Sequence, residues 1–199
     1  MRSNFSLFRS HLDVAHQYWQ RLLTIGDVVI DATCGNGHDT LALAELVLGE
    51  GQGQVLAIDL QKQAVESTRD RLKETLSPKL FSRVSFQVSC HSKLPCSSKL
   101  PSVKCVVYNL GYLPGADKSL TTQTSTSLES IRLALDLVCK GGAISITCYP
   151  GHPEGEVEAQ QILAFARELS SHDWNICHHE WVNRPKSPSL LFLQKQVNT

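Results

Sequence analysis

Short continuous apolar runs alternate along this chain with longer stretches in which apolar residues recur every three or four positions. The short runs predict strands over 27–32 (DVVIDA), 55–59, 84–88, 105–109 and 143–149. Runs that are apolar throughout suit strands covered on both faces. The helical period predicts a first helix over 10–23, with Leu12, Ala15, Trp19, Leu22 and Leu23 on one face. Further helices are predicted over 38–48, 61–76, 127–139 and 154–170. Pro78 stops the helix over 61–76, and Gly141-Gly142 ends the one over 127–139. Residues 92–102 read as a loop or a weak turn of helix, and 113–122 are too polar and glycine-rich for a core element. Closing strands over 174–182 and 190–194 flank a short proline-bearing loop, so they predict an antiparallel hairpin. Alternation of strand and helix predicts an α/β fold: a doubly wound, Rossmann-like sheet of seven strands, mostly parallel with an antiparallel C-terminal hairpin. Residues 1–199 are expected to form one domain, with 1–25 as an N-terminal helical extension.

Composition narrows this reading only a little. The 199 residues are 42% apolar, and 19 basic side chains balance 19 acidic ones. A zero formal charge does not mark a nucleic-acid binder, although a focused basic patch can act while the total cancels. The seven cysteines (Cys34, Cys90, Cys96, Cys105, Cys139, Cys148 and Cys177) show no CxxC spacing, and no metal site is expected. They read as small buried hydrophobes of a reducing compartment. No apolar run reaches the length of a membrane span, and the N-terminus lacks the apolar core of a signal peptide. A cytoplasmic protein without membrane contact is the expectation. The oligomeric state stays open, a homodimer included.

The first chemical motif is Asp31-Ala-Thr-Cys-Gly35-Asn-Gly37-His-Asp39-Thr40. It follows a predicted strand and opens a helix, the setting in which glycines let a backbone approach a nucleotide-type cofactor. Asp59 ends the next strand, where a carboxylate accepts hydrogen bonds from ribose hydroxyls. A nicotinamide site is the competing reading. It fits less well because Thr40 stands where the third glycine of GxGxxG belongs, and because a dehydrogenase has no use for Asp31. Methyltransferases have an acid at this position, which reaches the methionine end of their cofactor. A structural turn without ligand would leave Asp31 at a buried strand end without a reason. His91 follows the third strand on the turn expected near an adenine, where stacking and a plain structural role stand level.

Asn109-Leu-Gly-Tyr112 follows the fourth strand. It resembles the Asn-Pro-Pro-Tyr motif of methyltransferases that modify amino nitrogens. A nitrogen nucleophile must aim its lone pair at the methyl donor. An Asn amide oxygen can hold its N–H groups and set that direction. Tyr112 can stack on a base. The plainer alternative is a β-turn that Gly111 permits and Asn109 caps.

DATCGNGHDT, NLGYLPGADK, YPGHPEG and a late NRPKSPSLL together resemble a bacterial and plastid family long described as rRNA methylases. Some of its members methylate the aminomethyl group of 5-aminomethyl(-2-thio)uridine at the tRNA wobble position. The resemblance covers nearly the whole chain. It implies a class I methyltransferase that uses S-adenosyl-L-methionine, releases S-adenosyl-L-homocysteine and binds a tRNA anticodon stem-loop. It implies cofactor binding by Asp31, Thr33, Gly35, Asn36, Gly37, Asp39, Thr40, Asp59, Leu60, His91, Asn109 and Gly111. Asn109, Tyr112, Asp117 and His152 are the implied catalytic group, with Asp117 and His152 as candidates for handling the substrate proton. His152 reads equally well as a cap of the following helix. Leu113, Lys118 and Arg184 are the implied substrate contacts. Competing functions are methylation of rRNA or of a small amine and, from another class, a non-catalytic cofactor-binding module.

Overall fold

The computed structural model describes residues 10–95, 102–111, 124–184 and 186–197. Among them, helix α1 spans His11–Leu22 and strand β1 Val28–Asp31. Helix α2 (His38–Val47) and β2 (Gln54–Asp59) follow, then α3 (Lys62–Thr75), a short α4 (Pro78–Phe81) and β3 (Val84–Val88). After a 3-10 turn at His91–Lys93 come β4 (Val103–Leu110), α5 (Thr124–Leu137), β5 (Val138–Cys148), α6 (Pro153–Arg167), β6 (Trp174–His179) and β7 (Ser189–Lys195).

The strands form one seven-stranded sheet in the order β3-β2-β1-β4-β5-β7-β6. β3, β2, β1, β4 and β5 pair in parallel, whereas β7 runs antiparallel to both β5 and β6. Strand order reverses between β1 and β4, which opens a crevice at their carboxyl ends.

Both faces of the sheet are covered, as the continuous apolar runs require. Ile30, Val106, Tyr108, Ile144, Ile146 and Leu193 point to one side, where Ile131, Ala134 and Leu137 of α5 and Ile162 and Ala166 of α6 pack. The alternate residues Val29, Cys105, Val107, Ala143 and Phe192 point to the other, against Ala15 and Trp19 of α1, Leu43 and Ala44 of α2 and Leu72 of α3. Helix α1 is thus part of this core. Its start is fixed by a capping box between Ser10 and Asp13.

Element ends shift from the sequence expectation in two instructive places. Pro78 does more than stop α3: Ser77 caps a new helical turn, α4, in which Pro78 takes the first position. α5 ends at Leu137, before the glycine pair expected to end it. The Lys195 ammonium of β7 donates to the carbonyls of Leu135 (2.8 Å) and Val138 (2.9 Å) and so satisfies that helix end from across the fold. The glycines lie within β5. Gly141 has φ +71°, and a Cβ on Gly142 would stand 2.6 Å from the Lys104 carbonyl oxygen.

Candidate active site

Asp31 closes β1 and is 1% exposed. The Thr40 hydroxyl donates to its Oδ2 (2.6 Å) and the Thr33 N–H to its Oδ1 (3.2 Å). Burial pushes its carboxyl pKa up to about 7, against the lowering pull of the Thr40 hydrogen bond. A carboxylate held this far out of water stands ready for a cationic partner.

The glycine turn is tied down from both sides. Gly35 (φ +50°) and Gly37 (φ +79°) adopt the left-handed backbone, and Gly37 caps α2. The Gly35 N–H donates to Asp59 Oδ2 (3.0 Å), and the Gln61 N–H donates to Asp59 Oδ1 (2.9 Å). From α3, the Thr68 hydroxyl donates to the Gly35 carbonyl (2.9 Å), and Arg71 Nε donates to the Asn36 carbonyl (2.6 Å). A Cβ on Gly37 would lie 2.9 Å from Thr68 Cα, so helix α3 can approach only a glycine there. Thr68 and Arg71 carried no motif and escaped the sequence reading. Beside the turn, Leu60 is 54% exposed after β2 and Val88 is 52% exposed at the end of the neighbouring β3. They are two apolar side chains at adjacent strand ends, suited to the flat face of a purine.

Asn109, near the end of β4, joins this region. Its N–H donates to Thr33 Oγ1 (2.7 Å), and its Nδ2 donates to Asp39 Oδ2 (3.0 Å). Asp39 Oδ1 in turn accepts from His16 Nε2 of α1 (2.8 Å). On the other side stands Tyr149, whose phenol burial pushes up to about 12 against the lowering influence of Asn109. The Tyr149 hydroxyl lies 3.3 Å from His11 Nε2, also on α1. Burial lowers the His11 pKa against the raising influence of Asp39 and Asp13. The Tyr149 ring fills the space beside Gly111, where a Cβ would meet its Cδ2 at 2.8 Å. His11, His16 and Tyr149 were not singled out from the sequence. Tyr149 opens the YPGHPEG run, and the trace of the other two is a pair of histidines on one short helix, flanking its apolar stripe.

Other expected site residues have different surroundings. His91 is 7% exposed; its ring meets Tyr108 edge-on, and its Nε2 lies 3.5 Å from the Ser127 hydroxyl. Burial lowers its pKa to about 4. Its backbone carbonyl accepts from Ser130, and Ser127 donates to the buried Glu158 at 2.6 Å. This arrangement favours the structural role for the His91 ring over stacking on a ligand. His152 is the N-cap of α6, with its Nδ1 accepting from the Gly155 N–H at 3.0 Å. Glu154 Oε2 lies 3.2 Å from the same Nδ1, so that nitrogen faces both the helix end and a carboxylate. Arg184 lies exposed in the loop between β6 and β7, its guanidinium 5.2 Å from the Trp181 ring centroid. Tyr112, Leu113, Asp117 and Lys118 lie outside the described residues. Among the described residues no cluster of His, Cys, Asp or Glu could hold a metal ion, and no helix is long and apolar enough to cross a membrane.

The sheet order and the glycine turn with an acid on each side are those of class I S-adenosylmethionine-dependent methyltransferases, and solved structures agree. A putative rRNA-methylase from Clostridium thermocellum aligns at a TM-score of 0.85 and 32% identity, over 94% of this chain and 98% of that one. A putative methyltransferase from Streptococcus mutans, solved with S-adenosylhomocysteine, aligns at a TM-score of 0.80 and 27% identity, over 94% and 99%. The chain belongs to the family described as "Putative rRNA methylase", which it matches over residues 55–195. A chloroplastic tRNA (mnm(5)s(2)U34)-methyltransferase of Arabidopsis thaliana is 40% identical to it over 190 residues, 94% of this chain and 69% of that protein. The enzyme class is therefore a methyltransferase, and its cofactor is S-adenosylmethionine. The residues present fit that cofactor: a buried carboxylate for its cationic end, an acid at the end of β2 for its ribose and exposed apolar side chains for its base.

Proposed function

We propose that this protein methylates the primary amine of an aminomethyl group on the wobble uridine of tRNA. The observation that carries the reading is Asn109, an amide whose N–H₂ is engaged by Asp39 while its backbone is anchored to Thr33 of the cofactor turn. With the amide nitrogen occupied, Oδ1 is the atom left to accept from an amine N–H and aim the nitrogen lone pair. The 40% identical plant relative, named for this chemistry, supports the same substrate.

In this reading Asp31, with Thr33 and Thr40 beside it, holds the methionine end of the cofactor, and Gly35, Asn36 and Gly37 give its backbone room. Asp59 holds the ribose, and Leu60 lies against the adenine. When bound, the cofactor supplies an electrophilic methyl group. The protein's part is orientation and exclusion of water, with no covalent enzyme intermediate. The amine must shed a proton before attack. His152 has its Nδ1 committed to the α6 cap, so Asp117 or solvent is the proposed acceptor. Arg184 is the proposed phosphate or base contact, and Tyr112, Leu113 and Lys118 are proposed as further substrate contacts. Single-stranded anticodon bases suit such a rim, because they can be splayed out and stacked. The buried free thiols of Cys34, Cys105 and Cys148 fit a reducing compartment, and we propose the cytoplasm.

The test is nucleoside mass spectrometry of tRNA carrying 5-aminomethyluridine, incubated with S-adenosylmethionine and either this protein or its Asn109→Ala variant. One methyl gained on the aminomethyl group, and lost in the variant, is the expected result. No gain with cofactor binding intact would remove this substrate and favour rRNA or a small amine.

A further inference from the structure

Helix α1 precedes the cofactor turn and carries none of the recognised motifs, yet it reaches the reaction centre. His16 packs its ring against Trp19, with centroids 4.6 Å apart and planes tilted by 33°. Trp19 is itself buried in the core under the sheet. The histidine is thereby held by a rigid element and not by a mobile side chain alone. Its Nε2 stands 2.8 Å from Asp39 Oδ1, and the second oxygen of the same carboxylate accepts from Asn109 Nδ2 at 3.0 Å. Asp39 is 14% exposed and His16 36% exposed, so the carboxylate is the better shielded of the two. An Asn amide has two ends of nearly equal shape and opposite hydrogen-bonding sense. A carboxylate accepts only, so it selects the orientation in which the Asn109 nitrogen turns inward and the oxygen turns towards the site.

We propose that His16 and Asp39 are positioning residues that set the orientation of the Asn109 amide, with Asp39 acting on the amide rather than on the cofactor. The proposal rests on the reading of Asn109 as the group that orients an amine nucleophile. His16 occupies one carboxylate oxygen and leaves the other aimed at Asn109. Removing the imidazole frees the carboxylate to rotate and the amide to flip. A flipped amide presents N–H₂ to an amine that needs an acceptor, and the lone pair is then misdirected.

The test measures steady-state methyl transfer to tRNA carrying 5-aminomethyluridine, with S-adenosylhomocysteine binding followed separately by calorimetry. His16→Ala should lower kcat on the order of ten- to a hundredfold, the scale of a small misplacement of reacting groups, with the cofactor Kd unchanged. His16→Gln, whose amide nitrogen can replace Nε2, should restore most of the loss. Asp39→Asn can offer N–H₂ to Asn109 and should lower kcat at least as far, again at constant cofactor Kd. Adding His16→Ala to Asp39→Asn should cost little more, because the two act in series. Loss of cofactor affinity in step with kcat in Asp39→Asn would overturn the proposal and make Asp39 a cofactor residue. Full activity in His16→Ala, or equal defects in His16→Ala and His16→Gln, would overturn it as well. Wild-type protein that binds cofactor but fails to methylate this tRNA would refute the underlying substrate reading instead, a result these variants do not produce.

Discussion

Replacing Asp31 by Asn should stabilise the cofactor-free protein near pH 8 and weaken cofactor binding, two opposite effects from one atom change. Asp31 is 1% exposed and its pKa is raised to about 7 from an ordinary 3.8. A carboxyl whose folded pKa lies above its unfolded value binds its proton more tightly when folded. Below about pH 4 both states are protonated and there is no penalty. Between about pH 4 and 7 the unfolded chain ionises first, and stability falls; above pH 7 the loss is complete. Three pH units correspond to about 4 kcal/mol at most. The amide of the Asp31→Asn variant would keep a partner in Thr40 or Thr33 but geometry would suffer, so we expect a net gain of about 2 kcal/mol at pH 8. For a chain of this size that is a rise of roughly 4–8 °C in Tm. The assay is thermal unfolding of both proteins from pH 4.5 to 8.5, read as the difference between them so that other titrating groups cancel. The two curves should cross near about pH 5, where the wild-type penalty equals the geometric cost in the variant, and the variant should be the less stable at the acid end. Calorimetric binding of S-adenosylhomocysteine should weaken roughly ten- to a hundredfold, the loss of one charge-assisted hydrogen bond. Parallel pH profiles, with the variant less stable throughout, would refute the claim that Asp31 is held at a cost for the cofactor.

Thr68→Val removes the hydroxyl that ties α3 to the carbonyl of Gly35, and should cost about 1 kcal/mol by denaturant unfolding together with a severalfold weaker cofactor Kd. Gly37→Ala forces a side chain into a left-handed backbone 2.9 Å from Thr68 Cα, and should destabilise by about 2–3 kcal/mol or displace α3 visibly in a crystal structure. His152→Ala should lower stability by about 1 kcal/mol through the lost helix cap, while kcat falls less than threefold if capping is its task; a kcat loss beyond tenfold with a changed pH profile would restore His152 as a proton acceptor.

Much of this architecture is legible locally. A strand of a parallel sheet is buried on both faces, so DVVIDA and CVVYN announce themselves as apolar runs, and the left-handed turn at Gly35 and Gly37 needs glycine wherever the chain goes next. Asp31, Asp59 and Asn109 could be picked out because a polar side chain at the end of such a run is conspicuous. The sequence by itself thus determined the order of the strands and of the longer helices, and the family with its cofactor. Tertiary structure alone decided what those polar groups touch. Lys195 ends α5 from sixty residues away, a distance over which no capping rule operates. Thr68 and Arg71 steady the cofactor turn from a different helix, and His91 is buried by α5 although its position after β3 points towards a ligand. His16 and His11 reach Asp39 and Tyr149 because α1 folds back under the sheet to bury Ala15 and Trp19. Local patterns record burial and backbone conformation, which each residue experiences wherever its partners come from. Hydrogen-bond partners are chosen when distant elements meet, and that choice is written in the packing.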